Sequence, residues 1–384
     1  MTQIVVIGCG VVGAAIAYEL SQVPGLSVVV LDRQPPAQAA TGAALGVLMG
    51  VVSQKVKGNA WAMRHTSMQR YRTLIPELEA LTNQVIPVNR QGILLLQFVD
   101  NLTAWETLIG VRQQQGWQLE LWSPEQVGDR CPQIATARVT GAVYSPQDCQ
   151  IDPTALTLAL VAAAQQHGVE FNFNTTVTGL DSSLPECSHP ASAERLTPLQ
   201  RCSQLQTTTG KLPADWVVVA AGLGSTPLLA SLAAGTDPSA SPPLQICPVL
   251  GQAVRLKLNE PLGDRSFQPV ITGDDIHIVP LGSGEYWVGA TVEFPGATGE
   301  VAADPDSLQQ VMTGAIALCP ALANATLLKT WSGLRPRPQN RPAPVVERLS
   351  GYENILLATG HYRNGVLLAP ATAEKVKEAI AGNP

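Results

Sequence analysis

The sequence predicts an α/β protein in two parts: a discontinuous part built on a mostly parallel sheet, and a second, mixed-sheet α+β part. Three observations carry this. Residues 4–7 (IVVI) form a short β-branched run of the kind buried in parallel sheets. Gly8, Gly10 and Gly13 follow at once and lead into Ala14, Ile16, Ala17 and Leu20 at helical spacing. Further along the chain, GILLLQF (92–98), VLGQAVRLKL (249–258), DIHIVPL (275–281) and YWVGATVEF (286–294) are β-branched, partly alternating runs, as expected of a mixed sheet.

After the first helix a second β-branched run, Ser27 to Leu31, ends in Asp32. Strand, glycine turn, helix, strand and acid thus fall within about thirty residues, the pattern of a Rossmann-like dinucleotide cradle. Gly8 permits the tight turn, Gly10 lets the backbone approach a pyrophosphate, and Gly13 lets the helix pack on the strand. The helix N-terminus offers unpaired N–H groups and a positive dipole end to phosphates, and Asp32 can accept from ribose hydroxyls. The bland alternative is a glycine-rich turn without a ligand, and the pattern does not separate NAD from FAD. ATGAALGVLMG (40–50), uncharged and carrying Thr41, reads either as a loop beside the pyrophosphate and flavin or as a buried small-residue helix.

Composition narrows the class. The chain has 384 residues, 45% hydrophobic and 14% charged, which suits a well-packed enzyme and argues against disorder. A net charge of −6 argues against a nucleic-acid partner. The seven cysteines are scattered without a C-x-x-C pair, as expected of free thiols in a reducing cytoplasm. The apolar start lacks a basic n-region and meets Glu19 early, so no signal peptide or membrane span is expected. No H-x-x-x-H, C-x-x-C or acidic cluster has metal spacing, and no G-x-S-x-G marks a serine hydrolase.

Five stretches resemble the D-amino-acid-oxidase-like flavoproteins, and most closely the glycine oxidase branch. They are VIGCGVVGAAIAYEL; ATGAALGVLMG; GAVYSPQDCQIDPTAL; VVVAAGLGS; and the pair WSGLRP and LATGHYRNGVLLAPATAE, in the family's order over nearly the whole chain. The resemblance implies FAD held without a covalent bond, since no cysteine follows Cys319. It implies that backbone around Val11 and Val12 meets the pyrophosphate, that Asp32 and Arg33 meet the adenosine, and that Val177 meets the adenine. It places Ala40, Thr41, Leu45, Gly46 and Val47 along the pyrophosphate and flavin, with Gly222 in the second glycine stretch. The turn His361, Tyr362, Arg363, Asn364, Gly365, Val366 and Leu367 would lie at the flavin's pyrimidine end, where a helix N-terminus stabilises the negative charge of reduction. Arg363 would reach toward substrate or, in the plainer reading, form a surface salt bridge.

The same resemblance implies oxidation of glycine, sarcosine or a small D-amino acid, with oxygen as acceptor and peroxide as product. The imine product could feed thiamine thiazole synthesis. Other readings are a dehydrogenase passing electrons to a quinone or carrier, a flavoprotein without amine oxidation, and an NAD-dependent dehydrogenase. Arg335 in WSGLRP matches the carboxylate clamp, a role suited to a planar bidentate donor; Arg337 is expected on the opposite face. The sequence departs from the branch at HIVP, where His277 replaces a substrate-binding tyrosine and is either a hydrogen-bonding substitute or a structural histidine. Tyr286 is another possible hydroxyl. The proline- and arginine-rich RPRPQNRPAPVV is a second departure. His65, His167, His189, Trp61, Trp105, Trp117 and Trp122 are read as packing or surface residues.

The cofactor part is expected from 1–86, 141–240 and 328–384, and the substrate part from 87–140 and 241–327, with a polar surface insertion at 182–203. A homo-oligomer is compatible with this layout.

Overall fold

The computed structural model describes residues 1–183, 199–233, 244–296 and 299–382. Its first sheet has six strands in the order Val345–Arg348, Ile355–Thr359, Trp216–Val219, Thr2–Ile7, Leu26–Asp32, Glu170–Phe173. All neighbours run parallel except the antiparallel edge pair Val345–Arg348 and Ile355–Thr359. The central strand is Thr2–Ile7, and Ile4, Val5 and Val6 are fully buried. Both faces of this strand are covered, which is why it lacks polar alternation. Ile4 and Val6 point into one core while Val5 and Ile7 point into another.

The described helices are α1 (Val11–Ser21), α2 (Ala40–Ala43), α3 (Gly58–Thr82), α4 (Thr103–Gln114), α5 (Pro124–Arg130), α6 (Pro153–Gln166), α7 (Ser225–Ala233), α8 (Pro305–Leu318) and α9 (Gly365–Ala381). Helices α1, α3, α6 and α9 pack together on the Ile4 side. The opposite face meets α7 and a three-stranded antiparallel sheet, Val177–Ser183, Arg201–Thr207 and Gly210–Pro213. The centre of the polar insertion, with Cys187 and His189, lies outside the described residues.

Local chemistry fixes the helix starts. Asp152 accepts from the N–H groups of Thr154 and Ala155, and Pro153 occupies the first turn of α6. Asp304 caps α8 in the same way, again followed by proline. Buried Glu19 on α1 binds Arg70 of α3 at 2.7 Å and Lys377 of α9 at 3.1 Å, so one carboxylate ties three helices.

A second sheet has eight strands in the order Thr326–Pro338, Ile246–Lys257, Glu285–Gly289, Ile276–Gly282, Val270–Gly273, Ile93–Gln97, Gly141–Ser145, Glu120–Trp122. It is mixed: only Val270–Gly273 and Ile93–Gln97 pair in parallel. Helix α8 packs on it beside a separate apolar core. Strands Gly141–Ser145 and Thr326–Pro338 pair within this sheet, whereas boundaries at 141 and 328 put them on the cofactor side. We propose the discontinuous division with those two strands moved to the substrate side.

Candidate active site

The glycine turn sits at the carboxyl ends of the parallel strands, where open α/β sheets bind ligands. Gly8 has φ +107°, and a Cβ there would lie 2.6 Å from the Ala220 carbonyl oxygen. At Gly13 a Cβ would lie 1.9 Å from the Gly8 carbonyl oxygen, so only glycine lets α1 start this close to the strand. Gly10 precedes α1 and supplies no side-chain cap. The Val11 N–H donates to Thr41 Oγ1 at 3.1 Å, while those of Val12 and Gly13 meet no acceptor among the described residues. A helix start with unspent donors and no acidic residue in its first turn suits a phosphate. Asp32 accepts from the N–H groups of Cys9 at 2.6 Å and Gln34 at 2.9 Å, so it braces the turn from the next strand end.

From this cradle a cavity of about 700 Å³ runs between the two sheets, a size typical of a small-molecule or cofactor site. At one end it is lined by Gly8, Gly10, Val11, Val12, Asp32, Arg33 and Val177. Its middle is lined by Ala40, Thr41, Leu45, Gly46, Val47 and Gly222. The far end brings together His277, Arg335, His361, Tyr362, Arg363, Gly365, Val366 and Leu367. Of the residues expected at the cofactor, Gly13 and Asn364 do not line it; Gly13 acts through packing and Asn364 is the N-cap of α9.

The 40–50 stretch realises parts of both readings: α2 spans four residues, and the chain then passes Gly46 (φ +71°) into the short strand Val47–Leu48. A Cβ on Gly46 would lie 1.8 Å from the Ile151 carbonyl oxygen. Trp331 Nε1 donates to the Ala43 carbonyl at 3.0 Å, so the substrate sheet grips this segment. The C-terminal signature forms a 3-10 turn, Tyr362–Asn364, that runs directly into α9. Its position is held by Tyr71, whose hydroxyl donates to the Val366 carbonyl at 2.5 Å. Buried His361 turns inward: its Nε2 lies 2.9 Å from Thr372 Oγ1, and burial lowers its pKa to about 4.

Arg335 enters from the strand Thr326–Pro338. Its Nη1 donates to the carbonyls of Leu250 and Thr291, both at 3.0 Å. Its guanidinium lies over Gly251, where a Cβ would come within 2.3 Å of Nη2. These contacts leave Nε and Nη2 without an acceptor among the described residues. Burial, and then the charge of Arg363, make the Arg335 cation less favourable than in water. Arg363 also forms the exposed pair anticipated for it, with Asp275 at 3.3 Å.

His277 lies on the strand Ile276–Gly282, with Nδ1 3.0 Å from Thr272 Oγ1. Burial first, then Arg363 and more weakly Arg335, pull its pKa down to about 4 against an opposing effect of Asp275. The imidazole is therefore neutral near pH 7 and can offer hydrogen bonds but no charge. Tyr286 does not join it: its hydroxyl accepts from the Leu262 N–H at 2.7 Å, away from the cavity. Arg337 also needs a correction. Residues two apart on a strand share a face, so alternation does not separate it from Arg335. It is removed instead by stacking over Phe294 and Tyr362, at 5.2 and 5.6 Å, and it does not line the cavity. The four tryptophans lie outside the cavity too, with Trp117, Trp105 and Trp122 buried.

Three contributors escaped the sequence reading: Gly251 beneath Arg335, Thr272 beside His277, and Asp275 opposite Arg363. A glycine inside a strand run was a signal for the first, because it marks a close approach. Nothing local marks the other two, whose partners are set by strand pairing and by an inter-sheet contact.

A parallel sheet with a phosphate-ready helix start, capped by a mixed sheet carrying a half-buried arginine, defines a dinucleotide-dependent oxidoreductase. The family model for FAD dependent oxidoreductases of the DAO type matches residues 3–379, and the chain belongs to that family. Its cofactor is accordingly FAD, and the glycine cradle, free N–H groups and cavity fit that group. Among curated relatives, the bifunctional protein ThiO/ThiG of Trichormus variabilis is 32% identical over 98% of this chain and 52% of its own length. The chain thus spans about half the length of the ThiO/ThiG relatives it matches. Glycine oxidase of Bacillus licheniformis is 28% identical over 99% of this chain and 93% of its own. The crystal structure of glycine oxidase from Geobacillus kaustophilus shares the fold, with TM-score 0.82 and 24% identity over 100% of this chain and 96% of that one.

Among the described residues no helix is long and apolar enough to cross a membrane, and no group of residues has the arrangement of a metal site. Six described cysteines are free, and of these only Cys9 lines the cavity.

Proposed function

We propose that this protein oxidises a small amino acid or amine, of the glycine, sarcosine or small D-amino-acid class, at the carbon next to nitrogen. The observation that carries the reading is Arg335: a half-buried guanidinium on the cavity wall with donors to spare. Such a group holds a carboxylate in two-point geometry and so fixes the neighbouring carbon. FAD, bound noncovalently, supplies the hydride acceptor of this chemistry. Neutral His277 and the small walls at Gly251, Ala253 and Ala290 leave room for a compact substrate beside the clamp. The likeness to proteins named glycine oxidase and ThiO/ThiG supports the same class and, through the latter name, a supply role in thiamine synthesis. Oxygen is proposed as the final acceptor.

The deciding experiment is an anaerobic titration of the flavin-loaded protein with glycine, sarcosine and a panel of D-amino acids, followed at the visible flavin band. Bleaching by a member of the panel is expected. Readmitting air should restore the band and release peroxide. A yellow protein that no amine bleaches would overturn the reading, and one reoxidised only by a quinone would replace oxygen as the acceptor.

A further inference from the structure

Granted amine oxidation in this cavity, we propose that the preferred substrate is an amino or imino dicarboxylate, with one carboxylate on Arg335 and the other on Arg363. The charged residues lining the cavity are Asp32 and Arg33 at the dinucleotide end, and Arg335 and Arg363 at the other. The substrate end therefore carries two cations and no acidic lining residue among those described. They enter from different parts of the fold: Arg335 from the eight-stranded sheet, Arg363 from the turn before α9. Both arginines line the same cavity as His277.

A substrate with one carboxylate neutralises one of these charges. Arg335, with Nη1 committed to two carbonyls and its other donors free, is the seat for the carboxylate next to the reacting carbon. Among the described residues Arg363 is held only by Asp275, at 3.3 Å, and the Asp275 side chain is 75% exposed. An ion pair this exposed is worth no more than about 1 kcal/mol, so an incoming carboxylate can replace Asp275 as the partner. His277, neutral and uncharged, raises no barrier to an anion passing between the two arginines. The rival role for Arg363, support of charge on the reduced flavin, is indifferent to a second substrate carboxylate.

Sarcosine and iminodiacetate make a matched pair, since they differ by one carboxylate on the nitrogen substituent. For the flavin-loaded wild type, kcat/KM is expected to favour iminodiacetate by about tenfold or more, the scale of one charge-assisted hydrogen-bonded contact. Arg363→Leu should bring the ratio of the two to about one, and Asp275→Asn should raise it by removing the competitor. Malonate should likewise bind about tenfold more tightly than acetate, read without turnover from perturbation of the flavin band. If sarcosine reduces the flavin and the wild-type ratio is one or less, the dicarboxylate proposal falls while amine oxidation stands. If neither compound reduces it while glycine or a D-amino acid does, the dicarboxylate proposal falls and amine oxidation stands; if no amine reduces it, both fall.

Discussion

At the scale of single residues, the site depends on how close the backbone comes to other groups. Arg335 is useful because Gly251 lets its guanidinium lie flat against the next strand. Arg335→Ala should therefore weaken substrate binding by about 3 kcal/mol, roughly a hundredfold in KM, with flavin content unchanged. Equal KM values in mutant and wild type would remove it as the clamp. Gly251→Ala should reproduce part of this defect with the arginine still present, because the added methyl must displace the guanidinium. Wild-type substrate affinity in that variant would show that the stacked position is unimportant. Gly10→Val tests the other end. Even a Cβ there lies 3.0 Å from Thr41 Oγ1, which itself accepts from the first N–H of α1. The variant should purify with markedly less flavin; full yellow loading would contradict the cradle.

At the scale of elements, two buried charged residues hold the loop that follows the 40–50 segment. Asp148 accepts from the N–H groups of Gly50, Val51 and Val52, each at 2.8 Å. Arg112, fully buried, donates to the carbonyls of Val51, Ser53 and Lys55 and lies 3.6 Å over the Trp61 ring. One loop is thus gripped by its donors and its acceptors at once. Gly50 in turn faces Leu367 at the start of α9, a residue of the cavity wall. Removing either residue leaves buried backbone groups unsatisfied, at a cost of about 1–3 kcal/mol for each such group. Asp148→Ala should lower the thermal midpoint by several degrees and loosen flavin retention, both readable in one melt followed at the flavin fluorescence. An unchanged melt would mean that the loop is held by packing alone.

At the scale of the whole molecule, two histidines with lowered pKa values couple stability to pH. His277 and His361 both have pKa values of about 4 in the folded protein, against an ordinary value near 6.5. Between these values the unfolded chain binds more protons than the folded one, so stability rises with pH across the window from about 4 to 6.5 and is lost as pH falls through it. The thermal midpoint should drop over that range, and His277→Gln should make the decline shallower. An identical slope in the variant would place the acid sensitivity elsewhere.

Sequence and fold divide along a physical line. The cradle was legible because its chemistry is local: Gly8, Gly10, Gly13 and Asp32 sit within one βαβ unit, and their spacing is the geometry. Helix α6 starts for an equally local reason, at Asp152 and Pro153. The likeness of WSGLRP and HYRNGVL to known flavoproteins picked out Arg335 and Arg363, but their surroundings were not written beside them. Only the folded chain decided that Gly251 lies under one arginine, that Asp275 opposes the other, that Arg337 is drawn off to Phe294 and Tyr362, and that His277 is held neutral. Each of these depends on strand pairing and on contacts between segments tens to hundreds of residues apart. Local spacing carries no record of such long-range pairings, because many registers of a β-branched strand satisfy the same hydrophobic pattern.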